Sequence, residues 1–220
     1  MVDFADARRK MVDGQLRTTD VTDHAVLKAM GEVPREAFVP TSLAALAYID
    51  DDLPVGGSGA TRFLMRPATF GKLVQLAEID PSDVVLVIGG ASGYEAAVIA
   101  RLAGSVVALE ADGELAKAAS DRLSRLGVDT ASVVVGPLAA GWPAEAPYDV
   151  ILVAGAVETG LGPLGEQLRD GGRMVAVEGV GGAAAARLYT RAGGSVSGRF
   201  AFNAAAKPLP AFERPKTFVF

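Results

Sequence analysis

The apolar run Val84 to Ile88 breaks into Gly89-Gly90-Ala91-Ser92-Gly93 and reopens as Tyr94-Glu-Ala-Ala-Val-Ile-Ala-Arg-Leu102. Mostly β-branched residues bounded by Asp83 and a glycine pair read as a strand buried on both faces of a parallel sheet. The segment from Tyr94 to Leu102 reads as the helix that follows. A second strand, Ser105 to Glu110, ends in a carboxylate 21 residues beyond Gly89. That is the place where nucleotide-binding βαβ units receive a ribose hydroxyl. A glycine turn by itself also fits any tight strand-to-helix connection, so it is Glu110 that tilts the segment towards nucleotide binding.

The surrounding pattern supports an α/β fold. Asp112 can cap and Gly127 can end an amphipathic helix between them, and strands are expected at Ala131–Val135, Val150–Ala154 and Arg173–Val177, the last preceded by a short helix over Leu164–Leu168. The tail changes character. Ala186–Gly194, Ser195–Phe202 and Lys216–Phe220 read as strands without intervening helices, so the sheet should finish antiparallel. At the other end, Met11, Leu16, Val26, Leu27 and Met30 recur at helical spacing in a helical lead. Residues 33–67 form a Pro- and Gly-punctuated loop of the kind that often carries function. Pro67 starts a helix running to about Glu78.

With 220 residues, half of them apolar, the chain can bury a full core. No apolar run approaches the roughly 20 residues that span a bilayer, and the N-terminus lacks a secretory pattern, so a cytoplasmic protein without a membrane partner is expected. The absence of cysteine excludes disulfides, a thiol nucleophile and thiolate metal sites, and a single histidine, His24, makes a metal centre improbable. Net charge is −5, with scattered arginines, which gives no overall attraction for nucleic acid. The cluster Arg8-Arg9-Lys10 reads as a solvated helix face, and His24 as a surface residue.

Several segments taken together resemble the protein-L-isoaspartate O-methyltransferase family, a branch of the class I S-adenosylmethionine-dependent methyltransferases. They are Met11-Val-x-x-Gln15-Leu, Val26-Leu-x-Ala-Met30-x-x-Val33-Pro-Arg-Glu-x-Phe-Val-Pro40, Ala47-Tyr-x-Asp-x-x-Leu53-Pro-Val-Gly56, Gly89-x-x-Ser-Gly-Tyr94-x-Ala-Ala-Val98 and Ala146-Pro-Tyr-Asp149-Val-Ile. Their order covers nearly the whole chain. The resemblance implies a Rossmann-like sheet of about seven strands, mostly parallel with an antiparallel C-terminal strand. It also implies a helical and loop segment over residues 1–78 packed on the cofactor edge of a core over residues 79–220, in one compact domain. It implies S-adenosylmethionine as cofactor, held by Gly89, Gly90, Ala91, Gly93, Tyr94, Glu110, Ala111 and Leu138, and a protein or peptide substrate carrying an isoaspartyl residue near Pro54, Val55, Gly56 and Met65.

Four positions depart from the family pattern. Val87 stands where these methyltransferases usually carry Asp or Glu near the methionine amino group. A charge-assisted hydrogen bond contributes roughly 1.5–3 kcal/mol, so its loss should weaken cofactor binding on the order of tenfold to a hundredfold. Ala91 replaces a glycine and should require a negative φ. Pro137 stands where an Asp bonds adenine, leaving apolar stacking around Ala111 and Leu138. Met65 occupies the place of the family's substrate-handling Ser; Thr61 and Thr69 are weak candidates to substitute for it, and each reads first as a structural residue. Three readings fit these residues: an active, if slow, carboxyl methyltransferase; a noncatalytic relative that binds or assembles; and a nicotinamide-dependent enzyme, ranked last because the antiparallel tail and N-terminal motifs follow the methyltransferase pattern.

Overall fold

The computed structural model describes residues 2–57 and 61–214. The expected strand Lys216–Phe220 lies outside the described residues. The helical lead consists of α1 (Phe4–Met11) and α2 (His24–Glu32), joined by a wide turn and a short 3-10 turn. All five positions expected to face inward are buried. Arg8 does more than solvate its helix: its guanidinium donates to Tyr48 Oη at 2.9 Å and to Glu36 at 3.1 Å.

The segment read as loop contains a small antiparallel hairpin, β1 (Leu53–Gly56) and β2 (Arg62–Leu64), with Leu53 opposite Leu64. Glycines and a proline hid it, because its three or four residues per strand are too short to establish an alternation. Helix α3 (Pro67–Ala77) follows, then β3 (Val84–Ile88), α4 (Tyr94–Ile99), β4 (Ser105–Glu110), α5 (Gly113–Arg125) and β5 (Ala131–Val135). Helix α4 stops three residues short of the expected Leu102, because the chain turns to bring Gly104 N–H onto Asp83 O. Asp112 caps α5 as expected, its Oδ1 accepting from the backbone N–H groups of Glu114 and Leu115.

The C-terminal half supplies β6 (Tyr148–Val157), the single turn α6 (Gly162–Gly165), β7 (Leu168–Glu178), β8 (Ala185–Ala192) and β9 (Ser195–Asn203). Leu168 belongs to β7 and not to the helix expected there, since it pairs with Tyr148. Seven strands form one sheet in the order β5-β4-β3-β6-β7-β8-β9. The first five are parallel, and the β7–β8 and β8–β9 pairings are antiparallel.

Alternation along the central strands divides the core into two layers. Val85, Val87, Val106, Ala108, Val150 and Leu152 join the cluster with α1 to α5, while Leu86, Ile88, Val107, Leu109, Ile151 and Val153 face α6, Leu209 and Phe212. Because the chain begins its sheet at β3 and crosses to β6 only after β5, the crevice beyond the carboxyl ends of β3 and β6 is the topological switch point. No helix among the described residues is long and apolar enough to cross a membrane.

Phe70 of α3 is fully buried, its ring centroid 5.8 Å from that of Tyr94 at the start of α4. Phe70→Ala should therefore cost about 3–5 kcal/mol by chemical denaturation. A loss below about 1 kcal/mol would mean that α3 does not brace the turn.

Candidate functional site

The turn after β3 approaches its neighbours closely. Gly93 has φ 91°, and a Cβ there would lie 3.1 Å from the Ala119 Cβ of α5. Ala91 takes φ 37°, not the negative value expected of a non-glycine residue. The strain is held in place because its N–H donates to Glu110 Oε2 at 3.1 Å. The orientation of the turn is thus tied to the carboxylate that ends β4.

Glu110 is 2% exposed, and its acceptor capacity is fully engaged. Oε1 accepts from Ala111 N–H at 2.8 Å, from Asp112 N–H at 3.1 Å and from Arg62 Nη1 at 2.5 Å. Arg62 comes from the β1–β2 hairpin and also donates through Nη2 to Gly89 O at 2.7 Å. The crevice is closed from the other side by the segment after β9. Ala156 N–H donates to Lys207 O, and Leu209 N–H donates to Ala156 O, both at 2.8 Å. A Cβ on Gly89 would stand 2.6 Å from Leu209 Cδ1 and 2.8 Å from Arg62 Nη2. Among the described residues, a cavity lined by Asp52, Arg62, Met65, Gly155, Lys207 and Leu209 among others measures about 10 Å³. That is room for about one water molecule.

The structure brings some of the expected residues together and disperses others. Gly89, Gly90, Ala91, Gly93 and Glu110 converge at the switch point, and Met65 lines the cavity. Ala111 is exposed beside Glu110. Leu138 is 1% exposed within the apolar cluster under the sheet, so it presents no free face. The ring of Tyr94 is committed as well: Phe38 packs edge-on at 5.6 Å, and Arg35 lies 4.9 Å above its centroid. Pro54, Val55 and Gly56 lie in β1, and of these three only Val55 is buried. Thr61 is exposed, Thr69 is buried in the first turn of α3, and neither lines the cavity.

Three residues escaped the sequence reading: Arg35, Arg62 and Glu95. Arg35 is fully buried and donates to Ala47 O and Met65 O, each at 2.7 Å, which fixes the segment carrying Met65. Glu95 is the one charged residue of α4, which is otherwise apolar but for the tyrosine hydroxyl, and this contrast was the available signal. Ser92 Oγ and Glu95 Oε2, buried beside the turn, lack a hydrogen-bond partner, while Arg35 Nη1 and Tyr94 Oη make no well-aligned bond although the guanidinium acts on that hydroxyl.

Burial pushes the Glu95 carboxyl up to about 7, against the opposing pull of its own N–H, of Met65 N–H and of the Arg35 and Arg62 charges; Tyr94, pushed up to about 12, is its neutral neighbour. A carboxyl near 7 when folded and 4.5 when unfolded binds more protons in the folded state between those values. Stability should therefore fall as pH rises from about 4.5 to about 7, by about 3 kcal/mol, and stay low above that. Glu95→Gln should remove this loss, so the variant should be more stable than the parent at pH 8 and equal to it near pH 4.5 in urea titrations. A constant difference between the two proteins at both pH values would refute the assignment of the slope to Glu95.

Comparison with known proteins gives a consistent picture. A protein from Methylorubrum extorquens (strain PA1), named protein-L-isoaspartate O-methyltransferase, is 42% identical over 191 residues, covering 87% of this chain and 82% of that one. A solved structure of a protein-L-isoaspartate O-methyltransferase aligns with TM-score 0.80 at 26% identity over 93% of this chain and 66% of that one. A Plasmodium falciparum structure in complex with S-adenosyl-L-homocysteine aligns with TM-score 0.76 over 92% of this chain and 97% of that one; at 17% identity it speaks to the fold alone. The family model described as protein-L-isoaspartate(D-aspartate) O-methyltransferase matches residues 7–205. By that match, and by a sheet whose switch point carries the glycine turn and Glu110, the chain belongs to the protein-L-isoaspartate(D-aspartate) O-methyltransferase family.

Proposed function

We propose that this protein transfers a methyl group from S-adenosylmethionine to the carboxylate of an isoaspartyl residue in a protein or peptide. The observation that carries the reading is Glu110, a buried carboxylate at the end of β4 facing the Gly89–Gly93 turn, in a chain whose family match runs from residue 7 to residue 205. The donor set suits the cofactor: a carboxylate for ribose hydroxyls, a turn with backbone N–H groups, and a buried carboxyl oxygen without a partner. The space does not yet suit it, because Arg62 and Leu209 stand against Gly89. Binding therefore requires Arg62 to leave Glu110 and the segment around Leu209 to shift.

When bound, S-adenosylmethionine supplies a methyl group on a sulfonium. The residues of this chain need only hold and align the acceptor, because a carboxylate with a pKa near 4 is already ionised at neutral pH and needs no base. This is why Met65 is tolerable at the place of a hydroxyl. Positioning can contribute roughly 7–11 kcal/mol to such a reaction. Lys207 and Arg62 line the cavity as cations and are suited to meet the substrate carboxylate, while Asp52 balances them. The segment over residues 1–78 acts as the cover on the cofactor edge, through Arg35, Phe38 and the hairpin, and residues 79–220 act as the core; Arg35 supports this division by spanning the two through Met65 O and the Tyr94 ring.

With radiolabelled S-adenosylmethionine, label should enter an isoaspartyl peptide as a base-labile ester and leave its aspartyl counterpart unlabelled. Equal labelling of both peptides, or of neither under conditions where S-adenosylhomocysteine binds, would overturn the isoaspartyl assignment.

Arg62→Met should tighten S-adenosylhomocysteine binding several-fold, because the ligand no longer has to break the ion pair. It should also lower the melting temperature without ligand, since Glu110 keeps its backbone donors but loses its counter-charge. Unchanged affinity by isothermal titration would mean that Arg62 does not obstruct the site.

A further inference from the structure

Glu95 is the one charged side chain in a helix that otherwise packs through apolar groups. Its neighbours in the helix, Tyr94 and Ala96 to Ile99, are wholly buried, and Glu95 itself is 1% exposed. Among the described residues no cation lies within bridging distance of it. The backbone N–H groups of Met65 and of Glu95 itself favour the carboxylate, yet Oε2 has no hydrogen-bond partner. A buried carboxylate with a free oxygen destabilises the fold unless it takes up a proton or a ligand completes its bonding.

The location of that oxygen identifies the ligand group. A Cβ placed on Gly90 would stand 3.2 Å from Val87 Cγ1 and 3.7 Å from Glu95 Oε2, so the Val87 side chain and the free oxygen flank the same glycine of the turn. Val87 is the strand end at which related methyltransferases carry an acidic residue. Here the acid arrives from the other side of the turn, on the first helical residues after it. Met65 N–H and the Arg35 and Arg62 charges pull the Glu95 carboxyl down, against the stronger effect of burial, and neither of these cations is within bridging distance of it.

We propose that Glu95 supplies, from the start of α4, the carboxylate that Val87 withholds at the end of β3, and that its free oxygen receives the ammonium group of the methionyl part of the cofactor. The assignment rests on the functional reading above. It accounts for a substitution at β3 that would otherwise remove the ammonium partner, and it makes Glu95 a binding residue and not a relic of the core.

The test compares two ligands by isothermal titration. S-adenosylhomocysteine carries the ammonium, whereas 5′-methylthioadenosine keeps the adenosine and the thioether and lacks it. Glu95→Gln should weaken S-adenosylhomocysteine on the order of tenfold to a hundredfold. The affinity for 5′-methylthioadenosine should stay within about twofold of the parent. Glu95→Met, an apolar replacement, should behave in the same way, and thermal melting of both variants without ligand verifies that they are folded. Returning the acid to the strand end in the double variant Val87→Glu with Glu95→Gln should recover part of the lost affinity. Equal S-adenosylhomocysteine affinity in the parent and Glu95→Gln would overturn the assignment alone. So would an equal loss for both ligands, which is what a purely structural role predicts. Failure of the parent to bind either ligand would overturn the cofactor reading and this assignment with it.

Discussion

Arg62 and Glu110 meet at 2.5 Å with both side chains almost completely buried, and the geometry of the switch point depends on how that pair is satisfied. Removing two charges from water costs several kcal/mol per ion, which attraction offsets only where further hydrogen bonds fill the remaining donors and acceptors. Here they do. Glu110 collects three backbone N–H groups besides the guanidinium, and Arg62 spends a second nitrogen on Gly89 O. One ion pair thus ties the hairpin from the N-terminal segment to the turn after β3 and to the start of α5. It also fills the place from which Glu110 would hold a ribose.

The two ends of the sheet are built to different ends. Beneath the strands, Asp83 and Asp149 close the amino-terminal edge: Asp149 accepts from Val84 N–H at 2.7 Å and pairs with Arg169, while Asp83 takes Arg173 at 2.7 Å and Asp80 N–H at 2.9 Å. Arg169 and Arg173 complete the bonding of both carboxylates, and a single atom on this edge, Arg173 Nε, is left without a partner among the described residues. At the carboxyl-terminal edge Ser92 Oγ and Glu95 Oε2 lack partners beside one glycine turn, and Arg35 Nη1 and Tyr94 Oη make no well-aligned bond. Such a concentration of unsatisfied polar groups is costly to folding.

The family departures look different once the neighbours are known. Read along the strand, Val87 is a lost carboxylate; in the fold, Glu95 stands beside the same glycine. Ala91 is not excused by a negative φ but held at 37° by its bond to Glu110. Met65 lies in the cavity with its backbone clasped by Arg35 through the carbonyl, so the segment keeps its place although the side chain lacks a hydroxyl. Pro137 is exposed and Leu138 is spent on the core, so apolar stacking on Leu138 is not on offer without rearrangement.

The sequence by itself determined the parallel sheet, the turn after β3, the carboxylate at the end of β4, the capped α5 and the antiparallel finish, because each is written in local periodicity, turn chemistry or capping within a few residues. Its motifs were enough to point to the family. Only the tertiary structure decided what those residues touch. The hairpin of β1 and β2 was illegible because its strands are too short for a period, and the role of Arg62 depends on a partner 48 residues away. Glu95 was legible as an odd charge in an apolar helix, but its relation to Val87 arises from the turn folding α4 back across the strand end. Burial and long-range pairing set the charge state, the free oxygen and the closure of the crevice, and none of these is a property of spacing along the chain.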